Sequence, residues 1–165
     1  MAAPPGEGTG RPLPQTTESA LTTTNNGLPA KADDFNRPEV LGELNVKLGV
    51  RYVSVAPDRV VATMPVEGNR QPYLLLHGGA NASLAETIGS TAAVLNAPAG
   101  KVAVGLELSC THHRAARSGL VTAVCTPLHT GRSTSTFEIA LTDEDGNRTC
   151  TARLTCIVRD RPPGA

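Results

Sequence analysis

One stretch of this chain has to be a long helix, and the rest must be arranged around it. It runs from Gln71 to Asn96 and reads QPYLLLHGGANASLAETIGSTAAVLN. Within it Leu84, Ile88, Thr91/Ala92 and Leu95 recur at helical spacing and so share one face. No other long segment carries that period. A second face holds Gly79, Ala82, Glu86, Gly89/Ser90 and Ala93, small residues that invite close backbone approach, with a single carboxylate among them. Ala97-Pro98-Ala99-Gly100 ends the helix.

Most of the remaining pattern is that of strands. Residues 38–49 are the exception and predict a short amphipathic helix, with Pro38 in its first turn, Gly49 as its stop, and Val40/Leu41, Leu44 and Leu48 as its apolar face. Arg51–Val66 predicts two strands turning at Pro57-Asp58-Arg59. After the helix, Val102–His113 alternates Val102, Val104, Leu106 and Leu108 on one face. Leu120–His129, Ser133–Thr142 and Arg148–Arg159 read as three more strands, the last two joined by a turn centred on Asp145-Gly146. One helix cannot cover both faces of a six-stranded sheet, so the simplest solution is a curved antiparallel sheet wrapped around it. The outer face and edges of that sheet then need a partner, and self-association is expected.

Residues 1–33 are rich in Pro, Gly, Thr, Ser and Asn without periodicity and read as a disordered tail; residues 34–160 form one domain and 161–165 a short disordered end. With no Trp, two Phe and two Tyr, the core must be built from Val, Leu, Ile and Ala. Fifteen acids balance fifteen bases, which argues against a nucleic-acid partner. No apolar run is long enough to span a bilayer, and the N-terminus lacks the apolar core of a signal peptide, so neither a membrane nor export is expected and the cytoplasm is the expected location. The four cysteines, Cys110, Cys125, Cys150 and Cys156, sit within expected strands without metal-type spacing and read as reduced, mostly buried thiols.

Four groups could carry chemistry, and each has a plainer reading. Glu86 and Ser90 are four apart and share a helix face, which suits a carboxylate nucleophile or base with a hydroxyl placing a water. Ser83-x-x-Glu86 also matches a capping box, in which Glu86 only satisfies a backbone N–H. His77-Gly78-Gly79 opens the helix with free N–H groups and no side chains in the way, fit to hold an anion or polarise a carbonyl, or simply to make a turn. His77 precedes Glu86 by nine residues, a half-turn of helix at about 100° per residue, so a site using both suggests two chains about a two-fold axis. His112, His113, Arg114 and Arg117 make a basic spot at a strand end that is either a phosphate site or a solvated loop. A metal site from His112, His113 and Cys110 is not expected, because strand residues that alternate do not converge and no carboxylate adjoins them. His129-Thr130-Gly131-Arg132-Ser133-Thr134 is a turn fit for a phosphate or pantetheine contact, or an ordinary hairpin turn.

Several stretches in order resemble the hotdog-fold acyl-CoA thioesterases of the phenylacetate-pathway type, and within them the branch of 1,4-dihydroxy-2-naphthoyl-CoA hydrolase and the Arthrobacter-type 4-hydroxybenzoyl-CoA thioesterase. They are Gln71-Pro72-Tyr73, Leu75-Leu76-His77-Gly78-Gly79-Ala80, Leu84 to Ser90, Val104-Gly105-Leu106-Glu107, His112-x-Arg114-x-Ala116-Arg117 and Pro127-Leu128-His129-x-Gly131, and they carry a resemblance that covers about residues 38–160. The resemblance implies an α+β hotdog fold, an antiparallel sheet of five to six strands wrapped around one long central helix. It implies a homodimer with shared active sites and dimers pairing into a tetramer. It gives Glu86 as the carboxylate that attacks the thioester or activates water, the Gly78 N–H as the donor to the thioester oxygen, Gln71 and His77 as orienting groups, and Ser90 as the residue placing the water. Glu86 would come from one subunit and Gln71, His77 and Gly78 from the other. Gly105, His112, Arg114 and Ala115, with His129, Gly131, Arg132, Ser133 and Thr134, would line the CoA channel. The implied reaction is hydrolysis of an acyl-CoA with an aroyl or arylacetyl group, 1,4-dihydroxy-2-naphthoyl-CoA of menaquinone biosynthesis foremost; the alternatives are a broad-range thioesterase for phenylacetyl-, benzoyl- or medium-chain acyl-CoA, and a non-catalytic hotdog module that binds acyl-CoA or an acyl carrier. The reaction uses no cofactor, CoA being part of the substrate, and no metal. Relatives usually carry Gly where this chain has Leu74 and often an aliphatic residue where it has His113, departures that bear on the acyl group rather than the reaction.

Overall fold

The computed structural model describes residues 28–160; most of the expected tail (1–27) and the expected end (161–165) lie outside the described residues. The packed chain begins before residue 34, since Leu28 lies against the core and Ala32–Phe35 form a short helix, α1, whose Phe35 is buried and stacks at a tilt 5.2 Å from Tyr52. Then come α2 (Pro38–Leu41), α3 (Glu43–Leu48), β1 (Arg51–Ala56), β2 (Arg59–Pro65), α4 (Gly78–Asn96), β3 (Lys101–His112), β4 (Leu120–Thr130), β5 (Thr134–Thr142) and β6 (Arg148–Asp160). The strands form one antiparallel sheet in the order β1-β2-β4-β5-β6-β3, and α4 touches all six. This is the hotdog arrangement expected from one long helix and six strands.

Residues 38–49 are not one helix. Gly42, at φ 82° and ψ 153°, leaves helical space and splits the segment into α2 and α3. The break turns Leu44 outward to 59% exposure, while Leu41 stays buried and Val40 and Leu48 pack against the core, so the expected apolar face forms without Leu44.

Helix α4 owes its depth in the molecule to both of its faces. Leu84, Ile88 and Ala92 are buried as the periodicity predicts, and so are Gly89 and Ala93 from the small-residue face and Ala85 beside them. A Cβ at Gly89 would lie 2.5 Å from Leu154 Cδ2, so the bare backbone there lets the helix settle onto β6. Side chains such as Leu84 and Ile88, fully withdrawn from water, each contribute about 1.5–3 kcal/mol of apolar burial. A polar tie adds direction: the Tyr52 hydroxyl meets Thr91 Oγ1 at 2.6 Å, and burial pushes the phenol up to about 12.

Strand β3 departs from simple alternation. Gly105 pairs with Cys156 but Glu107 pairs with Thr155, so Leu106 is the extra residue of a bulge. The bulge reverses the phase. Leu108 packs toward the core, whereas Val104 and Leu106 are 52% and 63% exposed. The expected shared face of Val102, Val104, Leu106 and Leu108 is thus broken, and β3, an edge strand, has a neighbour on one side only, β6, where Val104 pairs with Ile157. The four cysteines are free, with Cys125, Cys150 and Cys156 buried and Cys110 partly so. Among the described residues no helix is long and apolar enough to cross a membrane.

Candidate active site

The loop before α4 is held at both ends. Asn69 is buried and its amide donates to Leu48 O (2.7 Å) and Pro65 O (2.9 Å). Its own carbonyl accepts from His77 N at 2.9 Å, and Leu76 N donates to Ala116 O at 2.9 Å. Between these anchors Gln71 N donates to Leu75 O and Leu74 N to Gln71 O, closing a tight turn. That turn puts Leu74 at φ 61°, the left-handed region a bulky residue rarely adopts. A glycine would sit there without strain, which is the physical content of the departure noted at this position.

His77 is the N-cap of α4, its Nδ1 accepting from Gly79 N–H at 2.8 Å. The expected alternative of a Ser83–Glu86 capping box is therefore wrong. Ser83 lies inside the helix and its hydroxyl donates to Gly79 O. With Gly79 N–H taken by the cap, Gly78 N–H has no partner among the described residues, and it opens at the positive end of a 19-residue helix.

That terminus faces a cavity of about 360 Å³ lined by Gln71, Gly78, Asn81, His112, Arg114 and Ala115, among others. The His112 ring lies over the glycine; a Cβ at Gly78 would be 2.9 Å from its Nε2. Five of the residues named in advance are thus brought together by one chain.

Glu86 is not among them. Its carboxylate is half-buried against β3, where a Cβ at Gly105 would collide with Oε1, and it accepts from Ser90 Oγ at 3.3 Å. Its field reaches two thiols: burial first, and this carboxylate second, push Cys156 up to about 11. Cys110 is also held above its ordinary value, by burial first and then in part by Glu86, against a lowering hydrogen bond with Cys150. Glu86 opens instead on a second cavity, of about 270 Å³, with Leu44, Asn45, Ala82, Ser83, Thr87 and Leu108. Leu44, Asn45 and Leu108 were not expected beside Glu86, since nothing in the local sequence brings α3 and β3 to this face of α4.

The channel residues fall into two groups. Thr134 pairs with Ile157 and Ser135 with Cys156, which pairs with Gly105 on its other side, so the turn at His129 to Thr134 belongs to the Glu86 end of the sheet. In that turn Gly131 N–H donates to Thr134 O at 2.9 Å and the His129 ring folds over Gly131, while Arg132 and Ser133 are exposed. His112, Arg114 and Ala115 lie at the other end, seven residues along β3, or about 23 Å for an extended strand. One chain does not unite Arg114 with Arg132. The basic spot is also less basic than its sequence, because Arg114 and Arg117 share a cavity with Asp143, Glu144 and Asp145 of the β5–β6 turn.

Each chain thus holds two separate groups: an open helix terminus with an amide and an imidazole, and a carboxylate with a hydroxyl. Residues 75–150 match the thioesterase superfamily. The chain is 48% identical over 119 residues to the proofreading thioesterase EntH of Cronobacter turicensis, covering 72% of this chain and 87% of that protein. A mutant thioesterase from Pseudomonas aeruginosa superposes with a TM-score of 0.74 at 37% identity, over 79% of this chain and 94% of that one. A thioesterase from Haemophilus influenzae gives 0.71 at 36%, over 84% and 92%. On this likeness, and on the fold it shares, the chain belongs to the thioesterase superfamily of hotdog hydrolases that act on thioesters.

Proposed function

We propose that this chain hydrolyses the thioester of an aromatic acyl-CoA to the free acid and CoA, with 1,4-dihydroxy-2-naphthoyl-CoA of menaquinone biosynthesis as the leading substrate. The observation that carries the reading is the pairing of an unhindered Gly78 N–H at a long helix terminus with a half-buried Glu86 carboxylate whose hydrogen bond, among the described residues, comes from the Ser90 hydroxyl. The thioester oxygen takes the Gly78 N–H, a donor worth about 2.7–4 kcal/mol once the oxygen becomes an anion. Gln71 and His77 orient the carbonyl and its donors. Glu86 either attacks the carbonyl carbon or takes a proton from water as that water attacks, with Ser90 placing the water. If water attacks, the new C–O bond is to the water oxygen, the C–S bond breaks, and the CoA thiolate leaves and takes up the proton; if Glu86 attacks, loss of the thiolate leaves a mixed anhydride on Glu86, which a water then hydrolyses to the free acid, restoring the carboxylate. His112, Arg114 and Ala115 of one subunit, with the turn at His129 to Thr134 and Gly105 of the other, line the CoA channel.

The assembly that supports this chemistry is a two-fold dimer, paired again into a tetramer. The free edge of β3, with Val104 and Leu106 exposed, is the surface that most needs covering. The apolar group lies beside Glu86 against Leu44, Ala82 and Leu108.

The test is steady-state hydrolysis over aroyl-, arylacetyl- and aliphatic acyl-CoAs. The highest kcat/KM is expected for an aromatic member. An aliphatic optimum would overturn the substrate class. A second reading, a proofreading role like that named for the Cronobacter relative, is favoured by the 48% identity, and near-equal kcat/KM across aromatic and aliphatic acyl groups would select it.

Gly105→Ala is expected to lower kcat about a hundredfold, because the new methyl drives Glu86 Oε1 from its place and displacements of about 1 Å cost that much. The Glu86 tip can swing aside and Gly105 is exposed, so thermal stability should hold. A full-rate Gly105→Ala enzyme would mean that Glu86 works from another position.

A further inference from the structure

Asn81 is the polar side chain of the first helical turns that the reaction above leaves unused. It is only 5% exposed, and its Oδ1 is buried with no hydrogen-bond partner. An amide held in that state is costly, so packing alone would favour an apolar residue here. Its other end has a partner: Nδ2 lies 3.4 Å from Nδ1 of His112. Both residues line the cavity that holds Gln71 and Gly78.

An amide nitrogen is only a donor, so the imidazole nitrogen facing it must be the acceptor, and the neutral ring then carries its proton on Nε2. Nε2 is the atom that lies over Gly78, 2.9 Å from where a Cβ would be. With ordinary bond lengths it is within about 5.5 Å of the Gly78 nitrogen. Two N–H donors therefore border the same space.

We propose that Asn81 is a positioning residue for thioester hydrolysis: it fixes His112 as the Nε2–H tautomer above Gly78, so that the imidazole offers the thioester oxygen a second donor beside the Gly78 N–H. This rests on the thioesterase reading above and assigns His112 to the carbonyl end of the site as well as to the channel wall. The opposite amide orientation would set Oδ1 against Nδ1–H and turn a bare Nε2 lone pair toward the developing oxyanion. The orphaned Oδ1 is the consequence of the orientation that avoids this.

The test uses the full chain with ¹⁵N-labelled histidine. NMR of the wild type should report His112 as the Nε2–H tautomer, and Asn81→Leu should convert it to a mixture. In acyl-CoA hydrolysis Asn81→Leu should lower kcat about ten- to a hundredfold, part of what losing one donor costs. KM should move less than about threefold, and the melting temperature should not fall. Added to His112→Ala, Asn81→Leu should cost no more than about a further twofold, because it acts through a ring already gone. Asn81→Ser, whose hydroxyl can still donate, replaces the Leu variant if that one does not fold, and should keep more activity than Asn81→Ala. An Nδ1–H tautomer in the wild type, multiplying effects in the double variant, or a full-rate Asn81→Leu enzyme would each overturn the proposal. A Glu86→Ala enzyme as active as the wild type would instead sink the thioesterase reading, leaving the tautomer measurement standing by itself.

Discussion

Glu86→Gln is expected to lower kcat for acyl-CoA hydrolysis by about a thousandfold or more, equivalent to about 4 kcal/mol of transition-state stabilisation, with KM and fold intact. The amide keeps the shape of the side chain and its contact with Ser90 but can neither attack a carbonyl nor take a proton from water. The loss should exceed that from removing a single oxyanion donor, about a hundred- to a thousandfold, because Glu86 forms or drives the new bond rather than only stabilising charge. Stability separates this from a structural role. The carboxylate is half-buried, accepts one hydrogen bond of 3.3 Å, and has no salt-bridge partner among the described residues. Its charge raises the thiols of Cys110 and Cys156, so its field is unwelcome to its neighbours. Neutralising it should leave the melting temperature level or higher. A Gln variant within tenfold of wild-type kcat would remove Glu86 from the chemistry; an unfolded one would make it a structural acid after all.

Why that acid could not be assigned from local pattern is physical. A Ser-x-x-Glu spacing is a capping box only if the helix starts at the serine. Here it starts five residues earlier, because Asn69 and Ala116 fix the backbone of His77 and Leu76, and the imidazole of His77 takes the cap. Those anchors are distant in sequence. The strands and α4 were legible because their periods are local, as was the helix stop at Ala97-Pro98; the β5–β6 turn was legible too, but it centres on Glu144-Asp145, with Gly146 N–H donating back to Asp143 O, one residue before the expected Asp145-Gly146. The split at Gly42 was not, since a glycine within an apolar pattern reads equally as a tolerated helical residue. Strand order hid two further facts. That β3 lies at the edge, beside β6 rather than β4, exposes Val104 and Leu106; and a bulge at Leu106 turns Gly105 and Leu108 to one face although they are three apart. The basic loop at Arg114 and Arg117 read equally as a phosphate site or a solvated loop, and the sequence did not show that the fold sets Asp143, Glu144 and Asp145 beside it. Asn81, with one amide end orphaned, carries no sequence signal, because its meaning depends on where β3 puts His112.

The same strand geometry gives the last expected result: an equimolar mixture of Glu86→Ala and Gln71→Ala subunits, each inactive alone, regains about a quarter of wild-type activity once subunits have exchanged. Within one chain Glu86 rests on Gly105, while Gly78 lies under His112 and shares its cavity with Gln71. Bringing the carboxylate of one chain to the helix terminus of another requires Gly105 of one β3 to lie opposite His112 of the next. A two-fold antiparallel pairing of the free β3 edges, centred between Leu108 and Ser109, does this, and it also carries the turn at His129 to Thr134 toward the other chain's Arg114. In a heterodimer of the two variants, one site then collects both lesions and the other collects none. Half of the dimers are mixed under random exchange, and half of their sites are intact, which gives about one quarter. If each site were built from one chain, every site would carry one lesion and nothing would return. Exchange confirmed by tagged subunits, with no recovered activity, would rule out the shared site, and the edge of β3 would need some other partner.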